Sequence, residues 1–156
     1  MKTLHCSLIL FLFGLQVLIG QTSNMKLEGN ITFNYTSEDL TLGVERIVNS
    51  DSYGYSGALK LAVYFSSQPY SGKGKINGTK VFEVETNKIQ AGYYHGGTRL
   101  TSEWLKKPLD GEYYVTVVLL EYDQRDERYY IVYSTNFSKK ANITYNSFFS
   151  NHWDVD

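Results

Sequence analysis

The chain has 156 residues, with fifteen Lys plus Arg against sixteen Asp plus Glu and a formal net charge of −1. The two signs are interspersed, which excludes a basic face for nucleic acid and an acidic tail. Fourteen tyrosines, eight phenylalanines, thirteen glycines and two prolines describe strands joined by glycine turns, in one domain whose core needs no metal ion, cofactor or covalent staple.

The N-terminus carries Lys2 and His5, then the apolar run from Leu8 to Ile19, then Gly20 ahead of Gln21. That is a secretory signal-peptide pattern, and a run of about a dozen residues falls short of the ~20 that cross a bilayer as a helix. Cleavage is expected after Gly20. This divides the chain into a signal peptide (1–20), a β-domain (21–145) and an aromatic tail (146–156), with no transmembrane segment after cleavage and an extracellular or periplasmic location. The only cysteine, Cys6, leaves with the signal, so neither disulfide nor thiol chemistry is expected of the mature chain.

From Leu27 to Tyr35, the residues Leu27, Ile31, Phe33 and Tyr35 share one face, which is the period of a half-buried strand. Leu40 to Val48 repeats the pattern with a slip near Gly43 or Glu45 that a β-bulge accounts for. Gly57 to Phe65 is a strand with Leu59, Leu61, Val63 and Phe65 inward and with Lys60 and Tyr64 on a wet side. Residues 66–78 are a glycine-rich surface loop. Lys80 to Thr86 is a short strand, and Ile89 to Gly97 a bend before a strand from Thr98 to Trp104 that turns Leu100 and Trp104 inward. Asp110 to Tyr122, DGEYYVTVVLLEY, is the central strand. Tyr113, Val115, Val117 and Leu119 alternate along it with Tyr114, Thr116, Val118 and Leu120, so both faces need cover. A charged hairpin tip, DQRDE, leads to Arg128–Phe137, with Tyr129, Ile131, Tyr133 and Phe137 on one face. Ala141 to Tyr145 is the last short strand. About eight strands with turn signals between them predict an all-β fold, a single antiparallel β-sandwich of immunoglobulin-like or similar kind. A small β-barrel is the alternative.

Residues 57–72 (GALKLAVYFSSQPYSG), 89–97 (IQAGYYHGG) and 110–123 (DGEYYVTVVLLEYD) together resemble an uncharacterised module of bacterial secreted proteins, with its Pro-Tyr turn, Gly-Gly stretch and Gly-x-Tyr-x-Val strand ending in Glu-Tyr. The resemblance spans about residues 47 to 143 and implies a secreted β-sandwich module. It brings no catalytic residues.

No catalytic or metal motif stands out. His95 and His152 have no acidic or histidine neighbour at ligand spacing, and no serine sits in a nucleophile elbow. Asp123, Asp126 and Glu127 are interleaved with Arg125 and Arg128, which suits a solvated hairpin tip better than a calcium loop. A glycosidase-type pair, Glu103 with Asp110 or Asp123 with Glu127, is the competing enzymatic reading. Five Asn-x-Ser/Thr triplets, at Asn30, Asn34, Asn77, Asn136 and Asn142, fall on expected outward positions or loops and are glycan acceptors in a eukaryotic secretory pathway.

Aromatics in loops are the feature that points to function. Tyr53, Tyr55, Tyr70, Tyr93 and Tyr94 lie among glycines and serines, where a rigid ring with a hydroxyl suits stacking on sugars or protein surfaces. Phe148, Phe149 and Trp153 in the tail are a second candidate contact for a partner. The expectation is a non-catalytic binding or adhesion module for a surface glycan or a protein. A structural protein self-associating through an edge strand or its tail is the alternative.

Overall fold

The computed structural model describes residues 23–144 and the backbone of 151–154. The expected signal peptide, Phe148, Phe149 and the side chain of Trp153 lie outside the described residues. The strands are β1 (Met25–Tyr35), β2 (Asp39–Asn49), β3 (Leu59–Ser66), β4 (Gly78–Thr86), β5 (Tyr94–Glu103), β6 (Gly111–Asp123), β7 (Arg128–Asn136), β8 (Ala141–Ile143) and β9 (Asn151–Asp154). One antiparallel sheet runs β5-β2-β1-β9 and the other β4-β3-β6-β7, while β8 pairs the first residues of β6. The order β1-β2-β5 against β3-β6-β7 is that of an immunoglobulin-type Greek key, with β4 on the edge of β3 as the added strand of a variable-type domain is. No closed barrel forms among the described residues, because each sheet keeps its own two edges.

β6 lies between β3 and β7 in its sheet and, as its sequence requires, is covered on both faces. Val115, Val117 and Leu119 are buried between the sheets with Leu27, Phe33, Leu42 and Ile47, and Tyr113 packs against them. Phe33, Phe65 and Trp104 meet edge-on near one end, with ring centroids 6.0 and 6.1 Å apart, a geometry that aligns ring edges with π faces. The Trp104 Nε1 donates to the Thr36 carbonyl at 3.0 Å. At the entry to β6 the Tyr113 hydroxyl donates to the Leu109 carbonyl at 2.9 Å, the tyrosine corner of immunoglobulin-type sandwiches.

The outer face of β3 and β6 is not wet as the alternation in β3 implied. Ala62, Val118 and Leu120 are buried there with Ile76, and Tyr64, Tyr70, Tyr129 and Ile131 pack around them. Ile76 belongs to the β3–β4 connection, so this loop folds back over the sheet and provides the second cover. Asn136 holds it. Its Nδ2 donates to the Tyr70 carbonyl at 2.9 Å, and its Oδ1 accepts from the Tyr70 amide at 3.2 Å and the Thr116 hydroxyl at 2.7 Å. Lys60 sits 4.5 Å from the Tyr129 ring centroid and pairs with Glu83 and Glu85. Burial alone would depress the Lys60 pKa, but the hydrogen bond and charge of Glu83, joined by Glu85, outweigh it and leave it raised.

Bulges change two faces. The expected slip in β2 is opposite Glu45, but the extra residue is on β1, where Gly29 and Asn30 face Glu45 alone. Gly29 has φ 76°, and a Cβ there would lie 2.3 Å from Glu45 Oε2, so both backbone and space demand glycine. In β7 the register shifts at Val132. The single face expected for Tyr129, Ile131, Tyr133 and Phe137 is therefore split, with Tyr129 and Ile131 on the outer cluster and Val132, Tyr133 and Phe137 on the inner core.

Candidate functional site

Loop 50–58, loop 87–93 and the β6–β7 tip meet at the end of the sandwich where β2 stops and β3 begins. Asn49 ends β2 and continues its inward set one step beyond Ile47; it is 1% exposed. Its Nδ2 donates to the Ile89 carbonyl at 2.9 Å, its Oδ1 accepts from the Asp51 amide at 3.0 Å, and its backbone amide donates to the Tyr93 carbonyl at 3.0 Å. Ser56, also buried, accepts from the Ile89 amide through Oγ at 3.0 Å and donates its own amide to the Ile89 carbonyl at 2.9 Å. Ile89 plugs into the core between the sheets, while Tyr55 and Gln90 add an antiparallel bridge. Buried polar groups fully matched in this way rigidify what they join. The two loops are one body.

That body presents Tyr53, Tyr55, Tyr93 and Tyr94, exposed by 76%, 69%, 62% and 60%. It is tied to β6 as well. The Gly57 amide donates to Glu121 Oε1 at 2.6 Å, and the Tyr122 amide to the Ala58 carbonyl at 2.8 Å. A Cβ on Gly57 would lie 2.1 Å from the Tyr122 carbonyl oxygen, so this approach exists only with glycine. Tyr53 and Tyr55 join Tyr122, Tyr130, Asp51 and Glu121 in lining an open cleft of about 890 Å³ between loop 50–58 and the β6–β7 hairpin. Tyr93 and Tyr94 stand on the β5 side, beyond its lining.

The hairpin tip forms the far wall. Asp123 accepts from the Arg125 side chain at 2.9 Å and from its backbone amide at 2.8 Å, and these bonds bring its carboxyl down to about 2. Asp126 accepts from the Tyr130 hydroxyl, which raises the phenol's pKa. Glu28 and Glu83 are shifted down too, Glu28 by Lys26 and Glu83 by Lys80 and Lys60 against the opposing effect of burial. A glycosidase-type general acid needs the opposite direction. Glu103 and Asp110 are exposed at the other end of the sandwich. No group of three or more His, Cys, Asp or Glu placed to hold a metal ion occurs among the described residues.

Several sequence expectations shift position. Tyr70 belongs to the opposite end, half-buried in the outer cluster, with its hydroxyl on the Gly74 carbonyl at 2.9 Å. Tyr94 is the first residue of β5, paired with Val48, not a loop residue. His95 follows it in β5, with Nε2 3.4 Å from the Lys88 carbonyl oxygen. Among the triplets, Asn30, Asn77 and Asn142 are exposed and Asn34 is half-buried. Asn136 keeps its expected outward position beside Thr116, but it is half-buried there because its amide holds Tyr70 of the covering loop. Asn49, Ser56, Tyr122 and Tyr130 also belong to this end, though no sequence motif marks them. Extending the β2 alternation from Ile47 to Asn49 was the signal that could have found the first.

No family model, curated protein or solved structure matches the chain.

Proposed function

We propose that the chain is a secreted, non-catalytic binding module that recognises a surface glycan or protein through the tyrosines of its β2–β3 and β4–β5 connections and of the first residue of β5. One observation carries the reading: Tyr53, Tyr55 and Tyr93, on loops fixed from beneath by Asn49 and Ser56, and Tyr94, at the start of β5, are all more than half exposed. Four rigid rings on a fixed backbone lose little entropy on binding, which favours contact at this end over a disordered loop of the same composition. The same end of a variable-type immunoglobulin domain carries its recognition loops.

The test is adsorption of Gln21–Asp156 to intact cells, beside Tyr70→Ala and a variant with Tyr53, Tyr55, Tyr93 and Tyr94 all replaced by alanine. Truncating several stacked rings at ~1.5 kcal/mol each removes well over tenfold of affinity. The fourfold variant is therefore expected to lose adsorption while Tyr70→Ala retains it. Equal adsorption by all three proteins would overturn the reading.

A further inference from the structure

The end of the sandwich opposite the tyrosines has a different surface. Leu109 and Leu105 are exposed by 85% and 56%, and both lie on the β5–β6 connection, WLKKPLD, on either side of Lys106 and Lys107. Their backbone is anchored at both ends. The Leu105 amide donates to the Val81 carbonyl at 3.0 Å, and the Leu109 carbonyl accepts the Tyr113 hydroxyl at 2.9 Å. The backbone that carries both apolar side chains is thus tied to β4 at Leu105 and to β6 at Leu109.

Charge follows the same division. Connections 36–38, 67–77, 104–110 and 137–140, all at this end, contain six lysines and two carboxylates, Glu38 and Asp110. The tyrosine-end connections 50–58, 87–93 and 124–127 contain two cations and three carboxylates. A nearly neutral chain is therefore polarised along its long axis.

Apolar side chains at the tip of a lysine-bearing surface match an anionic bilayer, whose headgroups attract the cations and whose acyl boundary accepts the leucines. We propose that this end docks on an anionic lipid surface through Leu105 and Leu109, with Lys106, Lys107 and Lys139 facing the headgroups. The tyrosine end then points away from the membrane. The proposal does not depend on what the tyrosines bind.

Flotation of Gln21–Asp156 with vesicles of phosphatidylglycerol and phosphatidylcholine, and with vesicles of phosphatidylcholine alone, tests it. Binding is expected only to the anionic vesicles, and to disappear at molar salt, where the screening length falls to about 3 Å. Exchanging Leu105→Ser and Leu109→Ser is expected to weaken it by about tenfold or more, since each leucine gains at least that from burial. Lys106→Gln with Lys107→Gln is expected to flatten the salt dependence, and Tyr53→Ala with Tyr55→Ala to change nothing. Both exchanged leucines are exposed, so folding is retained and circular dichroism checks it. Failure of the intact chain to bind anionic vesicles, undiminished binding by the leucine variant, or loss in the tyrosine variant would overturn the proposal.

Discussion

Asn49 and Ser56 are buried, yet they decide how the exposed tyrosines are displayed. Replacing Asn49 by alanine leaves the Asp51 amide without its acceptor and the buried Ile89 carbonyl with the Ser56 amide as its remaining donor, which costs about 1 kcal/mol. Urea unfolding of Asn49→Ala is expected to show an unfolding free energy lowered by that amount, read as a lower midpoint with an unchanged slope. A loss below about 0.5 kcal/mol would mean that water replaces both bonds. Asp123 gives a pH-dependent counterpart. Its carboxyl is held near 2 by Arg125, below the ~3.9 of an unfolded chain, so the folded state binds this proton later. The pairing therefore stabilises the fold above about pH 4, and its contribution fades as pH falls through that value towards 2. Asp123→Asn is expected to be less stable than the parent at neutral pH, with the gap closing by pH 2. A gap that stays constant over this range would assign the pair no folding role.

At the scale of elements, the tyrosine corner and the outer cluster are the parts most open to test. Tyr113→Phe keeps the ring packed and removes only the bond to the Leu109 carbonyl, so a loss of about 1 kcal/mol is expected. Ile76→Ala removes the loop's anchor on the outer face and is expected to cost about 2–3 kcal/mol, near the low end for a buried isoleucine because the site lies close to solvent. Thermal melting of both variants checks these values. Eight of the nine strands are legible as alternating apolar runs, because a residue's side of the sheet is set by period alone. The rest is not local. In β7 the bulge at Val132 depends on how β6 registers beside it, which no window of β7 encodes. β9, whose sequence is NHWD, has no alternation and exists as a strand through its pairing with β1. Likewise nothing in residues 66–78 says that Ile76 will return to the sheet. Aromatic content marked five tyrosines as a group, but the loop end that each occupies follows from topology, which is why Tyr70 separated from the other four.

For the whole molecule, the consequence of the Greek key is that the connections leave at two opposite ends and the two sets differ in chemistry. One end carries stacked loops, exposed tyrosines and a slight excess of carboxylates, and the other carries leucines and lysines. Packing of the core explains neither surface, since the buried cluster between the sheets is complete without them. Whether the tyrosine end is a binding surface is tested by a glycan array probed with Gln21–Asp156 and with the Tyr53, Tyr55, Tyr93 and Tyr94 alanine variant. Specific signals are expected for the first protein and none for the second, with the variant's melting temperature unchanged. Signals that persist in the variant would contradict a binding role for that end.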